Sequence, residues 1–138
     1  MQFRPEDIPL FSVIRVPYHF EGTNVRKLFV VISHFSGYVY CLKTTSRTES
    51  FDGNPDRLKG VVAYDKGECA LFTKRTIIDP TNQFPIAHTV LRQYETAGDF
   101  ECYGTLPADF KAKLTEAIKN SRVIEHRKKK RLLGQLQA

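Results

Sequence analysis

The sequence predicts a mainly β fold, a small and strongly curved β-barrel of antiparallel strands capped by a C-terminal helix. Three observations carry that expectation: short apolar runs punctuated by turn residues through the first 80 positions, one continuous β-branched and aromatic run, and a single strong helical stripe near the end. Length agrees. A chain of 138 residues, 41% hydrophobic and 12% aromatic, fits one domain of the usual ~100–200 residues. At that size a fold can bury about two-thirds of the surface its unfolded chain exposes, so a core suffices without metal or disulfide staples. The composition excludes disorder throughout.

Residues 11–18 (FSVIRVPY) are apolar on much of both alternating faces and end at the turn cluster Glu21-Gly22-Thr23-Asn24. Residues 27–33 (KLFVVIS) form the continuous run, the signature of a strand buried on both sides. Ser36-Gly37 makes a tight connection to residues 38–43 (YVYCLK), and the three segments form an antiparallel meander. Residues 44–59 (TTSRTESFDGNPDRLK) read as a long surface loop of the kind that carries function. Residues 60–64 and 69–72 flank a hairpin turn at Asp65-Lys66-Gly67-Glu68. Residues 73–79 are a further strand ended by Asp79-Pro80. Residues 86–94 fit either a short helix or a strand, and residues 100–104 a last strand. Thr105 can cap a helix with Pro107 in its first turn, and Leu106, Phe110, Leu114 and Ile118, spaced by four with Ala117 beside them, form its apolar stripe. That stripe must cover the open side of the sheet. The domain runs over residues 1–121, and residues 122–138 form a basic tail.

Of the formal net charge of +6, the tail carries +5 and the rest of the chain +1. A run of five cations, Arg127 to Arg131, reads as a solvated, partly disordered arm. Functionally it would add phosphate contacts through Arg127, Lys128 and Lys129, while Leu132, Leu133 and Leu136 leave room for docking on a partner. No apolar run approaches the ~18 residues of a membrane span, and the N-terminus lacks the basic-then-apolar pattern of a secretory signal, so a cytoplasmic protein without membrane contact is expected. Cys41, Cys69 and Cys102 are odd in number, with no CxxC or HxxxH spacing, which fits reduced thiols and neither a metal site nor a cofactor. His34 and the three cysteines read as packing residues, as do Phe29, Tyr38, Tyr40, Phe72 and Phe100, which could otherwise stack on bases.

At three places the chain resembles the PemK/MazF family of toxin endoribonucleases. SVIRVPYHF (residues 12–20) is similar to that family's opening strand, VRKLFVVIS (residues 25–33) to its RPALVVS strand with Arg26 in the arginine place, and YCLKTTS (residues 40–46) to its LPITS, with Thr45-Ser46 as the Thr-Ser pair. YGTLPADFKAKLTEAI (residues 103–118) resembles the closing pattern, in which a Gly and a Leu precede the last helix. The resemblance covers roughly residues 10–121. It implies an SH3-like barrel, a homodimer with an RNA groove across its interface, and an antitoxin that blocks the groove. The departures are specific. The family's opening Gly-Asp is Phe11-Ser12 here, its Pro after the arginine is Lys27, and the later Thr, Arg and Asp of the PemK branch are offered by Arg75, Thr76 and Asp79 at a different spacing.

The implied chemistry is cleavage of single-stranded RNA without metal, the ribose 2′-OH attacking its own phosphate. That reaction needs a proton acceptor, a proton donor for the leaving 5′-oxygen, and positive charge on the transition-state oxygens. Arg26, whose guanidinium stays protonated and offers paired donors, is the candidate for the charge; Thr45 and Ser46 can donate hydroxyl hydrogen bonds to the phosphate; His19 suits acid or base duty. Lys27, Arg75, Thr76 and Asp79 are candidates for holding substrate. Each has a plainer reading: Arg26 a solvated strand-edge residue, Thr45-Ser46 an ordinary capped turn, His19 the end of a strand, Asp79-Pro80 a turn. The rival function is a non-catalytic SH3-like module that binds nucleic acid or protein, and a poorer third is a basic accessory factor that works through its tail.

Overall fold

The computed structural model describes residues 3–20 and 23–137, without the side chains of residues 19, 20, 23 and 24. Six antiparallel strands, β1 (Ser12–Phe20), β2 (Thr23–Phe35), β3 (Tyr38–Thr45), β4 (Val62–Tyr64), β5 (Thr76–Ala87) and β6 (Glu101–Thr105), pair in the order β4-β5-β3-β2-β1-β6 and curl into a half-barrel. The fold is mainly β with helical cover, as the sequence predicts. The expected meander is the centre of the sheet. Its β2–β3 turn places Ser36 and Gly37 at φ +54° and +82°, the doubly left-handed turn whose twist matches its strands. Phe11 is also left-handed, at φ +66°, at the position where the resembling family carries glycine.

Both faces of the sheet are covered. On one, Val13, Val30, Ile32, Leu42 and Ile78 pack against Phe110 and Leu114 of α4 (Phe110–Asn120) and Leu132 and Leu136 of α5 (His126–Gln137). On the other, Ile14, Val16, Phe29, Val31, Cys41 and Ile86 pack against Leu91 of α3 (His88–Thr96) and Ile8, which follows a 3-10 turn at Pro5–Asp7. Phe29, Val30, Val31 and Ile32 are all buried, which is why the run carries no polar alternation. Val30 and Ile32 face one cluster and Phe29 and Val31 the other, so the chain itself covers both sides of this run.

Several expectations are corrected. The 44–59 loop contains two short helices, α1 (Glu49–Asp52) and α2 (Pro55–Leu58), pinned by buried Phe51 under the Arg57 guanidinium. Residues 69–72 are turns rather than a strand, although Cys69 and Phe72 are buried. Asp79-Pro80 does not end its strand. Lys43 pairs with Asp79 and Leu42 with Gln83, so residues 80–82 loop out as a bulge, a place where a proline's missing N–H costs no ladder bond. The 86–94 segment divides, β5 ending at Ala87 and α3 starting at His88. Helix α4 begins at Phe110 with Asp109 at its N-cap rather than Thr105, yet Phe110, Leu114, Ala117 and Ile118 are buried as the stripe requires. Cys102 is exposed on β6 and Tyr38 is exposed on β3.

The largest correction concerns the tail. It is no solvated arm from residue 126 on: α5 buries Leu132 and Leu136, with Ile124 buried ahead of it. Its leucines dock on the chain's own core, and Arg127, Lys130 and Arg131 stay on the solvent side. Ser121 Oγ accepts from the backbone N–H of Val123 and Ile124, which fixes the corner between α4 and α5.

Candidate functional site

A pocket of about 580 Å³ opens at the end of the β2–β3 ladder remote from the Ser36-Gly37 turn. β2 contributes Arg26 and Lys27, β3 contributes Lys43, Thr44 and Thr45, the following turn contributes Ser46 and Arg47, and Thr76 comes from the start of β5. Register brings them together, since pairing of Phe29 with Lys43 sets Lys27 beside the Thr45 end of β3. The structure therefore gathers Arg26, Lys27, Thr45, Ser46 and Thr76 of the sequence-derived candidates. It adds Lys43, Arg47 and Tyr18, which sequence reasoning missed. Two cations flanking the Thr-Ser pair within five positions were the available signal for Lys43 and Arg47.

Charge in this pocket is one-sided. Among its described lining residues four are cationic and none is acidic. Arg26 is held at the rim by Asp99, 2.9 Å from its Nη2, and by Glu101, 3.7 Å from its Nη1. Lys43 Nζ donates to the Tyr18 hydroxyl at 2.7 Å and lies 4.9 Å from that ring's centroid, with Lys27 Nζ at 5.6 Å. Lys27 and Arg47 have no carboxylate partner among the described residues. Two ammonium groups sharing one ring in a half-buried pocket repel each other, and an anion between them removes the repulsion. The Thr45 hydroxyl accepts from the Arg47 backbone N–H at 3.1 Å, a local turn bond that leaves its own proton free to donate. Thr44 and Thr76 spend theirs on the Leu28 and Lys74 carbonyls. Arrays of guanidinium, ammonium and hydroxyl donors of this kind suit phosphate oxygens.

The other candidates lie elsewhere. Arg75 sits in a separate cluster, bonded to Asp52 at 2.6 Å and to Asp65; the guanidinium beside it, helped by the Thr48 hydroxyl, holds the Asp52 carboxyl below its ordinary range. These two ion pairs brace α1 and the turn at Asp65 against the start of β5, away from the pocket. Asp79 is in the bulge, where its Oδ1 accepts from the backbone N–H and the hydroxyl of Thr81, the turn role. Lys129 donates to the Lys119 carbonyl and Lys128 to Asn82 Oδ1, both on α5. His19 is in β1 by its backbone, and its side chain lies outside the described residues. Among the described residues no three His, Cys, Asp or Glu side chains cluster as metal ligands, and no helix is long and apolar enough to cross a membrane. Comparison with protein-family models, with curated proteins and with solved structures finds no significant match.

Proposed function

We propose that this chain is a toxin-like endoribonuclease that binds single-stranded RNA in the Arg26 pocket and cleaves it without metal, the ribose 2′-OH serving as nucleophile. The observation that supports this most is the convergence of Arg26 with Thr45 and Ser46 in one pocket that also holds Lys27, Lys43 and Arg47 and no described acid. The scissile phosphate sits among these donors, and Arg26 takes the growing charge of the five-coordinate transition state. Lys43, paired with the Tyr18 hydroxyl, can hand a proton toward the leaving 5′-oxygen. By the PemK/MazF resemblance the protein works in the cytoplasm as a homodimer restrained by an antitoxin.

One observation favours a second reading, a non-catalytic RNA-binding module: no carboxylate or imidazole is among the described residues lining the pocket, so in the nuclease reading the 2′-OH proton passes to solvent water as the O2′–P bond forms and the P–O5′ bond breaks. Incubation with long single-stranded RNA in EDTA separates the two. The nuclease reading expects discrete fragments with cyclic-phosphate ends, and Arg26→Ala slowing cleavage by about 10²-fold or more at an unchanged melting temperature. RNA that is bound yet stays intact, translated messages included, establishes the binding module instead.

A further inference from the structure

A second concave site lies at the opposite end of the same ladder, beside the Ser36-Gly37 turn. It is a groove of about 620 Å³ between α5 and the sheet. Lys128, Arg131 and Gln135, spaced by three and four and so on one side of α5, form one wall; Phe35, Tyr40 and Gln83 of β2, β3 and β5 form the other. We infer that this groove is a second binding site for single-stranded RNA, in which bases stack on Phe35 and Tyr40 while Lys128 and Arg131 hold the backbone. The inference rests on the RNA reading above only for the identity of the polymer.

Four features point to that ligand. Phe35 is 71% exposed, a large aromatic ring in water at the mouth of the groove. Arg131 has no ionic or hydrogen-bonding partner among the described residues, and no described lining residue is acidic. At the base of the groove the amides of Gln83 and Gln135 bond each other reciprocally, at 2.8 and 3.2 Å, with Ser33 Oγ 3.5 Å from Gln135 Nε2. An amide pair of this kind keeps Gln83 with a further N–H and a carbonyl lone pair, the mixed donor and acceptor that a base edge matches. Stacking rings beside a cationic stripe are the physical pattern of single-strand binding. Arg26 and His34 are eight residues apart on β2, so the two sites lie about 25 Å apart along the strand at ~3.3 Å per residue.

The test is fluorescence anisotropy with a labelled single-stranded decaribonucleotide carrying 2′-O-methyl riboses, which binds without being cut. Phe35→Ala is expected to weaken binding by about fivefold or more. Arg131→Gln is expected to make the slope of log affinity against log salt shallower by about 0.7, both variants keeping the wild-type melting temperature. Full wild-type affinity and slope in both, with Arg26→Ala weakened, overturns the groove and leaves the pocket reading standing. The reverse pattern supports the groove and removes the pocket as an RNA site, and wild-type protein that binds no RNA overturns both. A poly-glutamate probe that binds in a Phe35-dependent way where RNA does not overturns the inference in favour of an acidic peptide.

Discussion

The two faces of the sheet are held down by different physics. One lies under α4 and α5, held by a broad apolar contact, Phe110, Leu114, Leu132 and Leu136 against Val30, Ile32 and Leu42, with uncharged amide bonds such as Gln83–Gln135 and the Lys128–Asn82 bond at its edge. The other lies under a 3-10 turn and α3, where apolar contacts by Ile8 and Leu91 are joined by a polar clasp. There His34 Nε2 donates to the Ile8 carbonyl at 2.8 Å, His34 Nδ1 lies 3.2 Å from His88 Nε2, and Arg92 reaches Glu6 at 2.8 Å. An apolar cover is indifferent to pH and salt, whereas a clasp of imidazoles and ions responds to both.

Removing α5 is the strongest way to break the contrast. Truncation after Ser121 deletes the buried Ile124, Leu132 and Leu136, each contributing about 1.5–3 kcal/mol of burial, against a total stability of about 5–15 kcal/mol for a domain. Loss of the cooperative thermal transition is expected by calorimetry; an unchanged midpoint would return α5 to the status of a solvated arm. Next in size, Leu114→Ala and Leu132→Ala are each expected to cost about 2–5 kcal/mol in urea titrations through lost burial and the cavity left behind. A negligible cost at Leu132 alone would show that the two helices do not share one core.

The clasp gives smaller, condition-dependent effects. Burial, then the neighbouring His34 and Arg92, push the His88 imidazole below its ordinary value of 6.5, against the upward pull of Glu6. The unfolded chain thus binds the proton more readily than the folded one. The stability it contributes is complete above about pH 6.5 and is lost as pH falls from there through the lower folded value. Between pH 7.5 and 5 the urea midpoint should fall, and His88→Gln should flatten part of that fall; an identical pH slope in the variant would remove His88 from the clasp. The smallest effect is expected at Glu6→Gln, which breaks a half-exposed ion pair with Arg92 and should cost no more than about 1 kcal/mol at low salt. A larger loss would make that pair a main fastening of the N-terminal turn.

What was legible in the sequence follows the same division. The 27–33 run and the α4 stripe were readable because burial on two faces, or on one helical side, writes a pattern over many residues. Helix α5 was hidden because its stripe is short, Leu132, Leu133 and Leu136, and directly follows five cations whose solvent-side placement looks like a disordered arm when read in one dimension. The Asp79-Pro80 stop misled for a related reason: a bulge and a turn need the same residues, and only the partner strand, with Leu42 opposite Gln83, tells them apart. Thr45, Ser46 and Arg26 could be put together from motif order, and Lys43 and Arg47 flank the Thr-Ser pair in the sequence, but Tyr18 joins them through strand register, which no local pattern records. Arg75 and Asp79 read as chemistry because their types suit it, yet each is already committed, Arg75 to Asp52 and Asp65, Asp79 to Thr81.

The placement of the three thiols gives the molecule a built-in clock for its own opening. Cys41 lies in the central strand with its thiol pushed up to about 12 by burial, Cys69 is buried in the other cluster, and Cys102 is exposed on the edge strand. Because the thiolate is the reactive form, an alkylating reagent meets one prompt sulfur and two that react only when their surroundings part. The prompt thiol counts molecules. The two slow ones sit one on each face of the sheet, so the order in which they are modified reports which cover lifts first.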